Sequence, residues 1–324
     1  HQGLTLAPKI RMVLPRHEQG GSFAAGGYAR ATGEVGVCLA TSGPGATNLI
    51  TGIIDAKMDS IPIVAITGQV PSTVLGSDAF QETDIMGATF PLVKHSYMIQ
   101  NVAEIPRIIH EAFHIARTGR PGPVLVDIPK NIQQQEGVAD FDVTFDVPSY
   151  RPNLKPSILQ CKKAAHTIQT AKRPIIYAGG GIISSGASAE LRAFVKKTGI
   201  PVTTTVMGLG AYPSTDPLSL RMLGMHGAVY ANIAMNHADL VIAMGVRFDD
   251  RVTGKLAEFC KNAQIIHIDI DPTEINKNIV VDIPIQGDVK QALKILHGYV
   301  EPNKDIKPWI KQVRGWKKEF PLEF

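Results

Sequence analysis

The chain is short of cysteine, of aromatic side chains and of net charge, and each shortage removes a class of protein. Only three of its 324 residues are cysteine. Cys38, Cys161 and Cys260 stand far apart without metal-ligand spacing, which excludes a disulfide scaffold and a zinc module. Cys38 lies in the apolar run Val35 to Ala40, where a cysteine behaves as a small buried hydrophobe. Lysine and arginine total 33 against 29 acids, a formal net charge of +4 spread along the chain. That balance argues against a nucleic-acid partner. The densest basic stretch, Lys307 to Lys318, is interrupted by Trp309 and Trp316 and reads as an amphipathic helix. No run of ~18 apolar residues occurs, so no membrane span is expected. No leader pattern is visible either, in a chain whose first residue is His1.

What is present is an ordinary globular composition, with 44% hydrophobic and 19% charged residues. The length suits roughly two domains of ~100–200 residues each. In the first half, Ile10–Leu14, Val35–Ala40, Ile61–Thr67 and Val124–Ile128 read as buried strands. Between them Glu18–Ala31, Ala46–Met58 and Ile105–Thr118 read as helices. Such alternation, with apolar runs buried on both faces, predicts a parallel α/β sheet. The rhythm breaks after Gln133-Gln134-Gln135, where Pro148, Pro152 and Pro156 crowd into an apparent linker. A second α/β series follows, with strands at Pro174–Ala178, Pro201–Val206, Leu240–Met244, Ile265–Ile270 and Pro284–Gln286. Its helices are expected at Ser188–Lys197, Tyr230–Asn236 and Val289–Val300, and Asp271-Pro272-Thr273-Glu274 has the form of a helix start. The fold class is therefore α/β, with two Rossmann-like parallel-sheet domains in series: residues 1–135, a linker at 136–158, and residues 159–324.

Several strand ends carry residues with chemical potential. Glu18, in Arg16-His17-Glu18-Gln19-Gly20, sits where a strand gives way to a helix. It is either an acid complementing the helix dipole or a carboxylate held for a ligand nitrogen. Thr41-Ser42-Gly43-Pro44-Gly45 turns tightly out of a strand but lacks the lysine of a phosphate-binding P-loop. It serves a ligand or is a bare turn. The polar segment Gly76 to Thr83 is a functional or an ordinary loop. In the second half, Gly179-Gly180-Gly181 follows a strand, but Ser184 stands where the dinucleotide fingerprint needs a third glycine. Arg247, Asp249, Asp250 and Arg251 lie just past Leu240–Met244, where two arginines suit a diphosphate. The same four charges also make a surface ion-pair network. Asp269, near the end of its strand, is placed for a ribose or adenine contact, and Asp271 for a helix cap. These features favour a nucleotide cofactor in the second domain.

Taken in order, RHEQG, TSGPGATN, SIPIVAITGQVP, GSDAFQETD, VKHS, AFHIARTGRPGPVLVDIPK, MLGMHG, RFDDR and IDIDP resemble one family. It is the large, catalytic subunits of acetohydroxyacid synthase (acetolactate synthase), enzymes of thiamine diphosphate, Mg2+ and FAD. The resemblance covers essentially the whole chain. It implies a pyrimidine-binding domain first and a central FAD-binding domain second. Glu18 then matches the catalytic glutamate that hydrogen-bonds the aminopyrimidine ring. Phe80, Gln81 and Lys130 match residues of the substrate channel, with Pro71 beside it. Arg120, Gly179, Gly180, Gly181, Thr205, Met207, Leu223, Met225, His226, Gly245, Arg247, Asp249, Arg251, Asp269, Gly287 and Asp288 match FAD-binding positions.

The implied reaction is carboligation, in which pyruvate loses carbon dioxide and its remaining two carbons join a second 2-keto acid. That acid is pyruvate or 2-ketobutyrate, on the way to the branched-chain amino acids. The resemblance further implies a homodimer or homotetramer, a possible regulatory small subunit, and a cytoplasmic or, in a plant or alga, plastid location. The family's opening helix would precede His1, and its G-D-G segment, which holds magnesium, would follow Phe324. No metal ligand is therefore expected within these residues, and the isolated chain is expected to be incomplete for catalysis. Alternatives are glyoxylate carboligase, pyruvate oxidase, or a non-catalytic cofactor-binding remnant. Glu18 argues against the first of these, and the loop FQET against the second.

Overall fold

A computed structural model describes residues 2–138, 140, 142 and 144–322. The chain divides into two compact units, His1–Arg151 and Pro152–Phe324. The linker expected at 136–158 falls partly on residues 139, 141 and 143, outside the described residues.

In the first unit four strands form one parallel sheet: β1 (Gly36–Ala40), β2 (Ile63–Gln69), β3 (His95–Met98) and β4 (Val124–Pro129). Their order is β1-β2-β4-β3. Helix α1 (Glu18–Thr32) starts with His17 as cap, whose Nδ1 accepts from the Gln19 amide at 3.1 Å. It ends at Gly33, which adopts the left-handed φ of 76° that a glycine takes without strain. The buried stripe of α1 is Ser22, Ala25, Gly26 and Ala29, small residues that let backbones approach. A Cβ on Gly36 would lie 2.1 Å from the Ala25 carbonyl oxygen, and one on Gly52 would lie 2.2 Å from Ser22 Oγ. Gly52 belongs to α2 (Ile50–Asp59), whose Ile53 and Ala56 join Cys38, Ala40, Ile63 and Ala65 in one apolar layer. On the other face, α3 (Ile105–Arg117) buries Ile108, Ala112 and Ile115 against Val64, Val124 and Val126.

In the second unit six strands form a wholly parallel sheet: β5 (Pro174–Ala178), β6 (Val202–Thr204), β7 (Ser219–Met222), β8 (Leu240–Met244), β9 (Gln264–Asp269) and β10 (Ile283–Gln286). Their order is β7-β6-β5-β8-β9-β10. The chain winds outward from β5 in one direction, then returns to β8 and winds in the other. That reversal makes β5 and β8 the topological switch point, where open α/β sheets bind ligands. β5 and β8 are buried along their whole length, as continuous apolar runs predict. One face is covered by α4 (Ile158–Thr170), α5 (Ser188–Thr198) and α7 (Val289–Tyr299). The other is covered by α6 (Val229–His237) and α8 (Lys307–Glu319), with the Trp309 indole donating to the Pro174 carbonyl at 2.9 Å.

The expected α/β class and parallel sheets are both present. Three local expectations need correction. Ile10–Leu14 is not a strand, and Leu14 is 93% exposed: no described strand pairs with it, so its apolar residues gain nothing from being extended. Ala46–Met58 is two helices, Pro44–Asn48 and α2, divided at Leu49. Asp271-Pro272-Thr273-Glu274 caps no helix. Asp271 Oδ1 accepts from the Thr273 amide at 2.9 Å, and the turns that follow reach Asn276 with a left-handed φ of 63°. The local hydrogen bonds of Asp and Asn outcompete helix propagation there. Among the described residues no helix is long and apolar enough to cross a membrane. Cys38, Cys161 and Cys260 are buried and free.

Candidate functional site

In the first unit the candidates gather at the carboxyl ends of β1, β2 and β4. Glu18 is the first residue of α1, and its Oε2 accepts from the Asn48 side-chain amide at 3.0 Å. That hydrogen bond, more than any other influence, holds the Glu18 carboxyl below the usual carboxylate range. Asn48 ends the short helix that begins in the turn after β1, so β1, the turn and α1 meet at one carboxylate. A Cβ on Gly45 would lie 3.5 Å from Glu18 Oε1. In the same turn Gly43 has a φ of +63°, and a Cβ there would come within 2.8 Å of the Gln81 carbonyl oxygen. A side chain at 43 is therefore barred both by the left-handed backbone and by the loop carrying Gln81.

That loop is shaped by a carboxylate of its own. Glu82 accepts from the amides of Gly76 and, at 2.9 Å, Ala79, and these backbone donors hold its carboxyl below the ordinary range. Gln81 has a left-handed φ of 62°, and Phe80 is left 89% exposed. The loop is also tied down from beneath. Gln69, closing β2, donates its Nε2 to the Thr83 carbonyl at 2.8 Å and to Asp127 Oδ2 at 3.0 Å. Asp127 Oδ1 accepts from Thr67 Oγ1 at 2.7 Å, completing a buried polar triad between β2 and β4. Burial outweighs these donors and pushes the Asp127 carboxyl up to about 6. Pro71 and Lys130 follow β2 and β4, and their segments are joined by Asn131, whose Oδ1 accepts from the Ser72 amide at 2.8 Å. Arg120 lies between α3 and β4 and donates from Nε to Ser60 Oγ at 2.8 Å.

In the second unit, fifteen of the residues matched to FAD positions lie at or beyond the carboxyl ends of the strands. Gly179 to Gly181 follow β5, and Thr205 and Met207 follow β6. Leu223, Met225 and His226 follow β7, and Gly245, Arg247, Asp249 and Arg251 follow β8. Asp269 closes β9, while Gly287 and Asp288 follow β10. At the switch point the backbones touch. A Cβ on Gly179 would lie 2.1 Å from the Gly245 carbonyl oxygen, and one on Gly181 would lie 2.6 Å from Gly245 Cα. Gly245 itself has a φ of +60°. These glycines are explained first by backbone packing against each other.

The arginines are held loosely. Arg247 is 3.9 Å from Asp249 and Arg251 is 3.9 Å from Asp250, so neither guanidinium is engaged by a close carboxylate. Asp249 instead accepts from the Arg251 amide at 2.9 Å, and Asp288 caps α7 by accepting from Gln291 at 2.9 Å. Thr204 Oγ1, at the end of β6, is buried with no hydrogen-bond partner among the described residues. Val206, Leu209 and Met225 stay exposed beside these strand ends. Loose cations, an orphaned hydroxyl and exposed apolar side chains along one edge fit an anionic cofactor with a flat ring.

Two family models match. "Thiamine pyrophosphate enzyme, N-terminal TPP binding domain" matches residues 2–88, and "Thiamine pyrophosphate enzyme, central domain" matches residues 161–296. The chain belongs to the thiamine pyrophosphate enzymes. Curated relatives agree over its whole length. It is 54% identical to acetolactate synthase 3, chloroplastic, of Brassica napus, covering 100% of this chain and 50% of that protein. Identity is 54% to acetolactate synthase 1, chloroplastic, of Oryza sativa subsp. japonica, and 53% to acetolactate synthase, chloroplastic, of Arabidopsis thaliana, covering 51% and 49% of those proteins. The chain thus spans about half the length of the curated relatives it matches.

Within these two domains, three participants were given no role by the motifs. Asn48 stood in a quoted motif but carried no assigned role until its amide reached Glu18. Gln69 and Asp127 also stood in quoted motifs without a role, each a polar residue out of keeping with the apolar run around it. Among the described residues no cluster of three or more His, Cys, Asp or Glu side chains is placed to hold a metal ion.

Proposed function

We propose that this chain supplies the pyrimidine-binding and FAD-binding domains of an acetolactate synthase. The activity would condense pyruvate with a second 2-keto acid, pyruvate or 2-ketobutyrate, with loss of carbon dioxide. The observation that carries the reading is identity of 54% along the entire chain to a protein named for that activity. The geometry around Glu18 supports it.

Thiamine diphosphate, when bound, supplies the electron sink on which a 2-keto acid decarboxylates. The rest is the work of side chains. Asn48 favours the ionised form of Glu18 and holds its carboxylate in place, where it would accept a hydrogen bond from a ring nitrogen of the cofactor and could take up or return that proton. The loop bearing Phe80 and Gln81, fixed by Glu82 and Gln69, would exclude water and admit small keto acids past Pro71 and Lys130. FAD would lie along the edge formed by β5 to β10, its diphosphate facing Arg247 and Arg251. Arg120 is the sixteenth residue matched to an FAD position. Magnesium is assigned to no residue of this chain. Assembly as a dimer or tetramer, with or without a regulatory subunit, and a plastid location follow from the same likeness.

The reading is tested by transplantation. This chain replaces the corresponding segment of the Arabidopsis thaliana acetolactate synthase, and acetolactate formation from pyruvate is measured. An active chimera is expected. A folded, flavin-loaded chimera without activity would overturn the proposal.

A further inference from the structure

The proposed reaction leaves one feature unused: the basic stretch at the end of the chain. Helix α8 carries two stripes. Trp309, Val313 and Trp316 pack into the second unit's core, with Trp309 and Val313 buried. Lys307, Lys311, Arg314 and Lys318 recur at i, i+4, i+7 and i+11 and are all exposed. This second stripe lines a groove of about 750 Å³, whose opposite wall includes Lys196 and Lys197 at the end of α5.

The groove is chemically one-sided. Six of its fourteen lining residues are cations and none is an acid. Its floor is apolar, with Leu218, Ile306 and Ile310 packed on the core beneath. Taking these six cations from the chain's net charge of +4 leaves all the rest at −2. Lys197 approaches Glu301 at 3.8 Å, whereas Lys196, Lys307, Lys311, Arg314 and Lys318 have no carboxylate within ion-pair distance among the described residues. Such a surplus of like charge opposes folding unless an anion relieves it.

We propose that this groove docks an acidic amphipathic helix of a partner protein. Three observations select that occupant. The cations repeat with helical period over about 16 Å, the rise of eleven residues of helix, which matches carboxylates at the same spacing on a facing helix. The apolar floor rewards an apolar side chain between them, which free phosphate lacks. No aromatic residue lines the groove, so single-stranded nucleic acid finds no stacking platform. The inference does not rest on the proposed reaction.

The probe is a fluorescein-labelled helical peptide of roughly fourteen residues, with glutamates at i, i+4, i+7 and i+11 and leucines beside them. Anisotropy with the whole chain is expected to show saturable binding with Kd on the order of micromolar, weakening as salt rises. Lys311→Glu with Arg314→Glu should weaken it about tenfold or more, as should Lys307→Glu with Lys318→Glu. Both variants alter exposed positions, and an unchanged thermal midpoint verifies their fold. A scrambled peptide of equal composition should bind about tenfold more weakly. Equal binding of both peptides, indifference to either double substitution, or tighter binding of an oligothymidylate would overturn the proposal.

Discussion

The two parallel sheets present their carboxyl edges in different materials. At the first unit's edge the organising groups are side chains: Glu18 with Asn48, Glu82 with the amides of its loop, and Asp127 with Thr67 and Gln69. At the second unit's edge the organising groups are backbones, with Gly179, Gly181 and Gly245 in mutual contact at the switch point. An edge of side chains can hold, orient and move a proton, and it answers to pH. One built from backbone is a rigid seat that answers to volume. The division suits the two proposed roles, acid–base work at Glu18 and a seat for FAD along the second edge.

The largest effect should come from the first edge. In the chimera, Glu18→Gln should lower acetolactate formation by ~10²–10⁴-fold, the usual worth of a positioned acid–base group. Its folding stability should change by no more than about 0.5 kcal/mol, because the carboxylate is partly exposed. Comparable loss of activity and stability would show that Glu18 is a helix-start acid and nothing more. Next is Gly245→Val at the second edge. A Cβ there meets Gly181 Cα at 2.5 Å on a backbone of φ +60°. Strain and overpacking together should cost about 3–5 kcal/mol in urea denaturation. A mild effect would mean that the backbone contact yields.

pH sharpens the comparison further. The Asp127 carboxyl is raised to about 6 in the fold from an ordinary 3.8. Between those values the folded state binds more protons than the unfolded state, so stability falls as pH rises from about 4 to 6 and is level above. The expected loss is about 2–3 kcal/mol, read from urea midpoints, and Asp127→Asn should remove the slope. Glu18 and Glu82 act with the opposite sign, because their pKa values are lowered. What they contribute is present above the ordinary glutamate range and lost as pH falls below it. The smallest effect is reserved for Phe80→Ala. With the ring 89% exposed, stability should stay within about 0.5 kcal/mol, while the chimera's KM for pyruvate rises.

How much of this was legible beforehand followed the physics of each signal. Continuous apolar runs marked β5 and β8 because burial on both faces leaves no alternation to confuse. The stretch Lys307 to Lys318 was legible as a helix because its tryptophans and cations separate at helical spacing. Ile10–Leu14 had a strand's composition but lacks a paired neighbour among the described residues, and pairing is a tertiary property that composition does not carry. Asp271 to Glu274 had the residues of a cap, yet Asn276 turned the backbone before a helix could propagate. Partners were harder to read than candidates. Glu18 announced itself by position, whereas Asn48 lies thirty residues away, and only folding reveals which amide reaches which carboxylate. The triple glycine was legible as an incomplete dinucleotide fingerprint, but the sequence did not say that another loop's backbone packs against it.

The flavin seat proposed for the second unit is measured by a flavin titration of the chain. Added FAD should bind saturably, with perturbed visible absorption bands and quenched fluorescence, and Gly245→Val should abolish both changes. A chain shown to be folded by circular dichroism that leaves the flavin spectrum and fluorescence untouched would contradict it.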